Sequence, residues 1–311
     1  MKRLFYFILI LVGVSSVHSC KEIMDENGDP LVDINGNSGL NGPRALYREI
    51  TDSDTLATYY YNGLQLSKVV TDSMNSTADI AWSGDKISRV DFRGFLDIDG
   101  NGKLDKDSIT YNQQFTYGST GRLETISESR SFFKRSTTAP YTVAAPGPQT
   151  LYLKTKTIYG IKYSAATAKL DSINMRTGPE VAGAPSYNKY SKVKFEYSGD
   201  NVSKVTKFAG NMTGSVMSAP GEKLSFEYSN YDDKINPFTL LPPVYKISRI
   251  LSTQNNQVKS WILSPNSPTR YSITNLAQPI PTSVFFSTNY NYDAQTYMRK
   301  GYGVNYIYKP L

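Results

Sequence analysis

The sequence predicts an all-β protein: an antiparallel β-meander of repeated hairpins that forms a curled sheet, barrel-like or two-layered. Three observations carry this. Tyrosine occurs 24 times and phenylalanine 13 times in 311 residues, beside frequent Val, Ile and Thr, the residue types that fit a pleated surface. Turn residues recur at short spacing, and no long stretch holds a sustained apolar stripe at helical period. One unit also returns along the chain: an aromatic, any residue, then Tyr or Trp, followed by a turn containing Gly, Asn or Asp and a strand of aliphatic and polar residues.

The first element in chain order stands outside that fold. Residues 1–19 place Lys2 and Arg3 before an unbroken apolar run from Leu4 to Val14 that ends in small residues, the layout of a secretory signal. The run is shorter than the roughly 20 apolar residues a membrane-spanning helix needs. Cys20 is the only cysteine, so it has no internal disulfide partner. The stretch Val17-His18-Ser19-Cys20 resembles the lipobox of bacterial lipoproteins, although His18 departs from the small residue usual there. The resemblance implies that Cys20 becomes an acylated N-terminus anchored in a membrane. Lys21, Glu22, Asp25 and Glu26 are similar to the export signal of Bacteroidetes-type lipoproteins, which implies the outer membrane and an orientation toward the cell exterior. Residues 20–44, rich in Gly, Asn and Asp from Asp25 to Pro43, read as the lipidated cysteine and a flexible tether. Residues 45–311 form a single antiparallel β domain.

The repeated unit then accounts for that domain. It reads YYYNGLQLSKVV from Tyr59, IAWSGDKISRVDF from Ile80, FTYGSTGRLETI from Phe115 and FEYSGDNVSKVTKF from Phe195. Looser copies start at Phe226 and Tyr290. In Phe195-Glu196-Tyr197 both rings take one face and Glu196 the other, and Ser198 to Asn201 supply the turn. Val202 and Val205 are three apart in the returning strand, which breaks strict alternation and implies a bulge or burial on both faces. A single hairpin cannot bury its aromatic face, so neighbours must continue the sheet, with edges blunted by Lys and Pro. These units resemble the YD repeats of RHS-type proteins. Together with the lipobox and the segment Tyr231 to Phe238, they are similar to Bacteroidetes-type surface lipoproteins of unknown function. The resemblance implies an extended β domain on the cell surface and no reaction.

Composition removes much chemistry. Loss of Lys2 and Arg3 with the signal takes the net charge from +7 to +5, and the remaining basic residues are scattered, as on a solvated β surface, not gathered for nucleic acid. The only histidine is His18, in the signal. Without His18 or a free thiol, Ser-His-Asp and Cys-His pairs and nitrogen or sulfur metal ligands are all excluded. Carboxylates, Ser-Lys pairs and Tyr remain. Asp232 and Asp233 are adjacent and would point to opposite strand faces, which suits a turn better than the paired acids of a glycosidase. Pro237 then opens a loop from Asn236 to Pro243.

One segment has the spacing of a metal loop. In DIDGNGKLDKDS, Asp97, Asp99, Asn101 and Asp105 fall at positions 1, 3, 5 and 9 of a calcium loop, Gly102 at the sharp turn, and the Lys103 carbonyl at the backbone ligand. This resembles EF-hand and dockerin loops, with Ser108 in place of the bidentate Glu and strand-like flanks. A structural calcium ion is thus the one cofactor indicated; an Asp/Gly hairpin turn without an ion is the alternative. Thr55, Ser73, Ser108 and Ser172 lie in Asp-Thr/Ser-aliphatic triplets similar to the O-glycosylation triplet of Bacteroidetes-type exported proteins. Trp82 and Trp261 are candidate ligand-stacking rings, though each also reads as cross-strand packing in an alternating pattern. The Pro-rich stretches TTAPYTVAAPGPQT and RTGPEVAGAPSY read as long surface loops.

The functional expectation is a membrane-anchored surface lipoprotein, a non-catalytic binding or scaffold module for a glycan or an outer-membrane protein partner. A carboxylate-dependent glycan hydrolase is the alternative.

Overall fold

In the computed structural model, residues 44–310 are described except 73–74, 99–102, 139, 141–146 and 254–255. The leader, Cys20 and the tether, apart from residue 44, lie outside the described residues. The chain pairs as it runs. β1 (Arg44–Ile50), β2 (Thr55–Asn62), β3 (Gln65–Thr71), β4 (Ser76–Ser83), β5 (Lys86–Gly94), β6 (Ser108–Tyr117), β7 (Leu123–Arg135), β8 (Gln149–Tyr163) and β9 (Leu170–Val181) each lie antiparallel to the strand before. After the short β10 (Ala184–Pro185), β11 (Lys189–Ser198) returns along β9, and β12 (Asn201–Thr213) pairs with β11. The short β13 (Val216–Met217) turns the chain into β14 (Glu222–Tyr231), which pairs with β12. β15 (Pro268–Asn275) and β16 (Ser283–Ser287) continue from β14. β17 (Asn291–Tyr292), β18 (Met298–Gly301) and β19 (Val304–Pro310) close the chain, and β19 lies against β1. All belong to one antiparallel meander sheet.

The repeat has a physical basis that the structure makes explicit. In each unit the returning strand carries one extra residue: Ser67, Ser88, Glu124, Asp171 and Ser203 are skipped in the register opposite Tyr61, Trp82, Tyr117, Tyr163 and Tyr197. The bulge expected from Val202 and Val205 is therefore present, and it recurs; Tyr47 is skipped in the same way in β1. A bulge takes a backbone group out of the ladder. The next unit supplies the missing partner. Tyr61 donates its hydroxyl to the Leu46 carbonyl at 2.9 Å, Trp82 its indole N–H to Leu66 at 2.8 Å, Tyr117 to Ile87 at 2.6 Å, Tyr197 to Leu170 at 3.0 Å and Tyr231 to Val202 at 2.5 Å. Every acceptor is the residue just before a bulge. In two units a cation precedes that residue and lies over the same ring, Lys86 5.4 Å from the Tyr117 centroid and Lys169 5.4 Å from that of Tyr197. Gly84 and Gly199 hold φ of 62° and 56° in the tight turns, where a Cβ would be strained. The five tight turns thus lie along one rim, stitched hairpin to hairpin except between β6–β7 and β8–β9, where Arg122 lies 5.6 Å from the Tyr163 centroid instead.

At the sixth hairpin the tight turn is replaced by residues 232–267, which run into the space enclosed by the sheet. Here the expected loop proves to be helical: a 3₁₀ turn (Pro237–Leu240), α1 (Pro243–Leu251) and a longer 3₁₀ segment (Asn256–Leu263). Proline at the first helical position suits α1, because the N–H it lacks would be unsatisfied there anyway. Tyr245, Lys246, Ile247, Ser248, Ile250 and Leu251 are all buried, so α1 is covered on its polar side as well as on the apolar stripe of Val244, Ile247, Ile250 and Leu251. Asn236, fully buried, accepts from the Phe238 N–H and donates to the Trp261 and Asn266 carbonyls, pinning both ends of the insertion. Asp232 serves the turn as expected, accepting from the Lys234 and Ser267 N–H groups. Sheet and insertion share one hydrophobic core.

The ladder does not close. Among the described residues, β16 pairs only with β15, and β17 only with β18. Side chains bridge the seam instead: Tyr302 donates its hydroxyl to the Pro268 carbonyl, and its ring meets Tyr271 at 5.3 Å.

Candidate functional site

Two buried charge clusters hold the insertion against the wall. From α1, Arg249 donates to both Glu49 carboxylate oxygens, at 2.8 and 3.2 Å, and to the Tyr59 hydroxyl at 2.5 Å. Tyr59 in turn donates to Glu49. Burial pushes the Glu49 carboxyl up, but Arg249 and the hydrogen bonds outweigh it and hold the group below the ordinary range. Burial also drives the Tyr59 hydroxyl well above its usual value. The second cluster joins β6 and β7 to the helix. Arg130 donates to Glu128 at 2.9 and 3.2 Å and to the Ser252 carbonyl at 2.9 Å, while Ser248 donates to Gln113, which donates to Glu128.

Between the insertion and the strands lies a cavity of about 480 Å³. Its walls come from β1 to β6, from Tyr271 and Tyr302 at the seam, and from one side of the insertion. They are rich in rings, among them Phe92, Phe95, Tyr111, Trp261, Tyr302 and Tyr306. The polar groups converge from α1 and the 3₁₀ segment after it: Ser252, Thr253, Asn256 and Lys259, beside Arg249. Asp72, Phe95, Leu96, Asp97 and Leu104, from the loops after β3 and β5, border it on the rim opposite the tight turns, and Leu104 is exposed there. Lys259 is solvent-accessible, yet protein surrounds it. Burial pushes its ammonium down, Arg249 adds to this by repulsion, and Glu49, Asp72 and Asp97 oppose both. An enclosed, largely aromatic space with a few convergent polar groups is the ordinary form of a small-ligand site.

Sequence-predicted residues are distributed unevenly around this cavity. Trp261 lines it, but on the 3₁₀ segment and not on a strand: it is buried and packs edge-on to Phe238 at 5.5 Å. Trp82 is half-buried at the end of β4, at the rim of tight turns, with its N–H engaged by Leu66. Asp97 borders the cavity. In the proposed calcium loop, Asp99 and Asn101 lie outside the described residues, Lys103 is exposed, and Asp105 accepts from the Ile98 N–H at 3.0 Å. The described residues contain no cluster of three metal-binding acids. Of the triplet residues, Ser73 lies outside the described residues, while Thr55 and Ser108 are half-buried. Ser172 is buried at 3% exposure and donates to Asp171, which leaves a glycosyl donor no access in the folded chain.

Glu49, Tyr59, Arg249 and Lys259 escaped sequence reasoning. The available signal was the pair of basic residues inside the apolar run PVYKISRIL, which makes sense only if partners wait in the interior.

No family model matches the chain. No curated protein matches it either. Among solved structures, the chain is similar to a porin-like protein from Bacteroides vulgatus ATCC 8482, with a TM-score of 0.44 and 11% identity over 86% of this chain and 100% of that one. A porin-like protein from Bacteroides uniformis ATCC 8492 gives a TM-score of 0.40 and 12% identity over 86% of this chain and 98% of that one.

Proposed function

We propose that this protein is a non-catalytic binding module that takes the end of a glycan into the cavity between its curled sheet and the inserted helix. The observation that carries the reading is the cavity itself: rings for stacking on sugar faces, with hydroxyl, amide and ammonium groups gathered on one wall. The one fully enclosed carboxylate there, Glu49, is committed to Arg249 and Tyr59, so it is a fixture of the wall and not an acid or base for hydrolysis. The outward face supports a water-facing module. On it Lys68 and Arg93 face Asp79 and Lys204 faces Glu227 across strands, and Arg89 pairs with Asp91 along β5; such charges are costly against lipid. In this reading acylated Cys20 and the tether hold the module on the outer membrane, facing outward. A calcium ion on the Asp97 loop belongs to the same proposal, and a thermal midpoint unmoved between calcium and chelator would remove it.

The test is a retention and titration screen of the mature chain, residues 21–311, on a panel of polysaccharides, with product release followed in parallel. Retention without cleavage, accompanied by a change in tryptophan emission, is the expected result, since Trp261 faces the cavity. Cleavage would put the hydrolase reading in its place, and no retention on any glycan would overturn glycan binding.

A further inference from the structure

Two cations face the cavity, and their situations differ. Arg249 is fully occupied: Glu49 takes two of its hydrogen bonds and Tyr59 another. Lys259 has no ion pair or hydrogen bond among the described residues, although the cavity leaves it accessible. Lys259 is exposed, and the carboxylates of Glu49, Asp72 and Asp97 act on it without a direct bond, so its ammonium is open to an anion that enters the cavity. Among the described residues no wall carboxylate bonds to it directly. Glu49 belongs to Arg249, Asp72 accepts from the Thr71 hydroxyl at 3.0 Å, and Asp97 stands with Asp72 at the mouth, where both act on Lys259 only at longer range. Ser252, Thr253 and Asn256 line the same wall as Lys259 and offer neutral hydrogen-bonding groups beside it.

Building on the glycan reading above, we infer that the cavity selects an acidic saccharide, with Lys259 as counter-ion to a single sugar carboxylate. The rings then stack on the sugar faces, and the charge-assisted bond to Lys259 supplies the discrimination.

The experiment compares matched oligosaccharides ending in glucuronate and in glucose, titrated calorimetrically into the mature chain at neutral pH. The uronate is expected to bind about tenfold more tightly or better, the scale of one charge-assisted hydrogen bond. Lys259→Met should bring the uronate down toward the affinity of the neutral sugar, a loss at least several-fold larger than the neutral sugar suffers. Lys259→Arg should keep the preference. If Lys259→Met does not fold, the salt dependence of the unaltered protein serves in its place: added salt should weaken the uronate alone. Equal affinity for the two sugars, or a preference that survives Lys259→Met, would overturn the role of Lys259 and leave glycan binding standing. Binding of neither sugar, with tryptophan emission unmoved, would overturn both.

Discussion

Lys246 shows how far a single side chain can set the behaviour of the fold. It stands on α1 inside the curled sheet at 5% exposure, and burial pushes its ammonium down to about 8 from an unperturbed 10.5. Between those two values the unfolded chain binds more protons than the folded one, so stability rises with pH across that window. Lys259, also pushed down by burial, acts in the same direction. Buried tyrosines act oppositely. Tyr59, Tyr159, Tyr228 and Tyr308 are held well above 10 by burial, so the unfolded chain ionises first in strong alkali and stability then falls. Urea unfolding from pH 7 to 11 should therefore show a maximum near pH 9 to 10, bounded by about 8 for Lys246 and 10.0 for an unperturbed tyrosine. Lys246→Met should stabilise the protein at pH 7 by up to roughly 3 kcal/mol and flatten the rise. An unchanged urea midpoint at pH 7 would show that the ammonium reaches water.

The hairpin unit and its bulge are the structural currency at the next scale. Bulges free carbonyls near the tight-turn rim, and at Leu46, Leu66, Ile87, Leu170 and Val202 the following aromatic closes them, so most hairpins depend on a neighbour. Tyr197→Phe keeps the ring and its contact with Lys169 but leaves the Leu170 carbonyl without its donor. Loss of about 1 to 3 kcal/mol is expected, the cost of stranding a buried acceptor. Tyr117→Phe should cost a similar amount through Ile87. Chemical denaturation of the two single variants and the double variant would check this; losses near zero for both would mean that water replaces the hydroxyls. These units were legible in the sequence because the signal is local: a ring, a turn residue and an aliphatic residue sit within a dozen positions. The unit at Tyr163 and Leu170 went unread because its turn, Ser164 to Lys169, has no glycine. The insertion was illegible for another reason. Its helix has only nine residues, so the apolar stripe of Val244, Ile247, Ile250 and Leu251 is shorter than the window that marks a helix by period, and Trp261 beside it read as part of a strand. The site was hidden by distance. Glu49 and Arg249 are 200 positions apart and meet only because the sheet curls around the insertion.

For the whole molecule, the unclosed ladder leaves an edge with a particular character. β16 carries Val284, Phe285 and Phe286 at 59, 56 and 39% exposure, and its outer backbone groups have no strand beside them among the described residues. The expected Lys or Pro guard is absent from this strand. No charged residue occurs anywhere from Tyr271 to Tyr292, and the nearest charge shown, Arg270, lies over the Phe285 ring at 4.4 Å. The sequence Ser283-Val284-Phe285-Phe286-Ser287 also matches itself when reversed: antiparallel pairing centred on Phe285 sets Val284 opposite Phe286 on one face and Ser283 opposite Ser287 on the other. An exposed, flat, apolar edge is a ready template for strand addition, and the opposite end of the sheet, β17, has only two residues to offer. The protein should therefore self-associate through β16 as concentration rises, in a two-fold arrangement. Val284→Lys should hold it monomeric without lowering its thermal midpoint, because the side chain it replaces is already exposed. Light scattering coupled to size exclusion over a wide concentration range decides the matter. A monomer at every concentration would mean that the edge is shielded, whereas association that persists in Val284→Lys would place the contact on another surface.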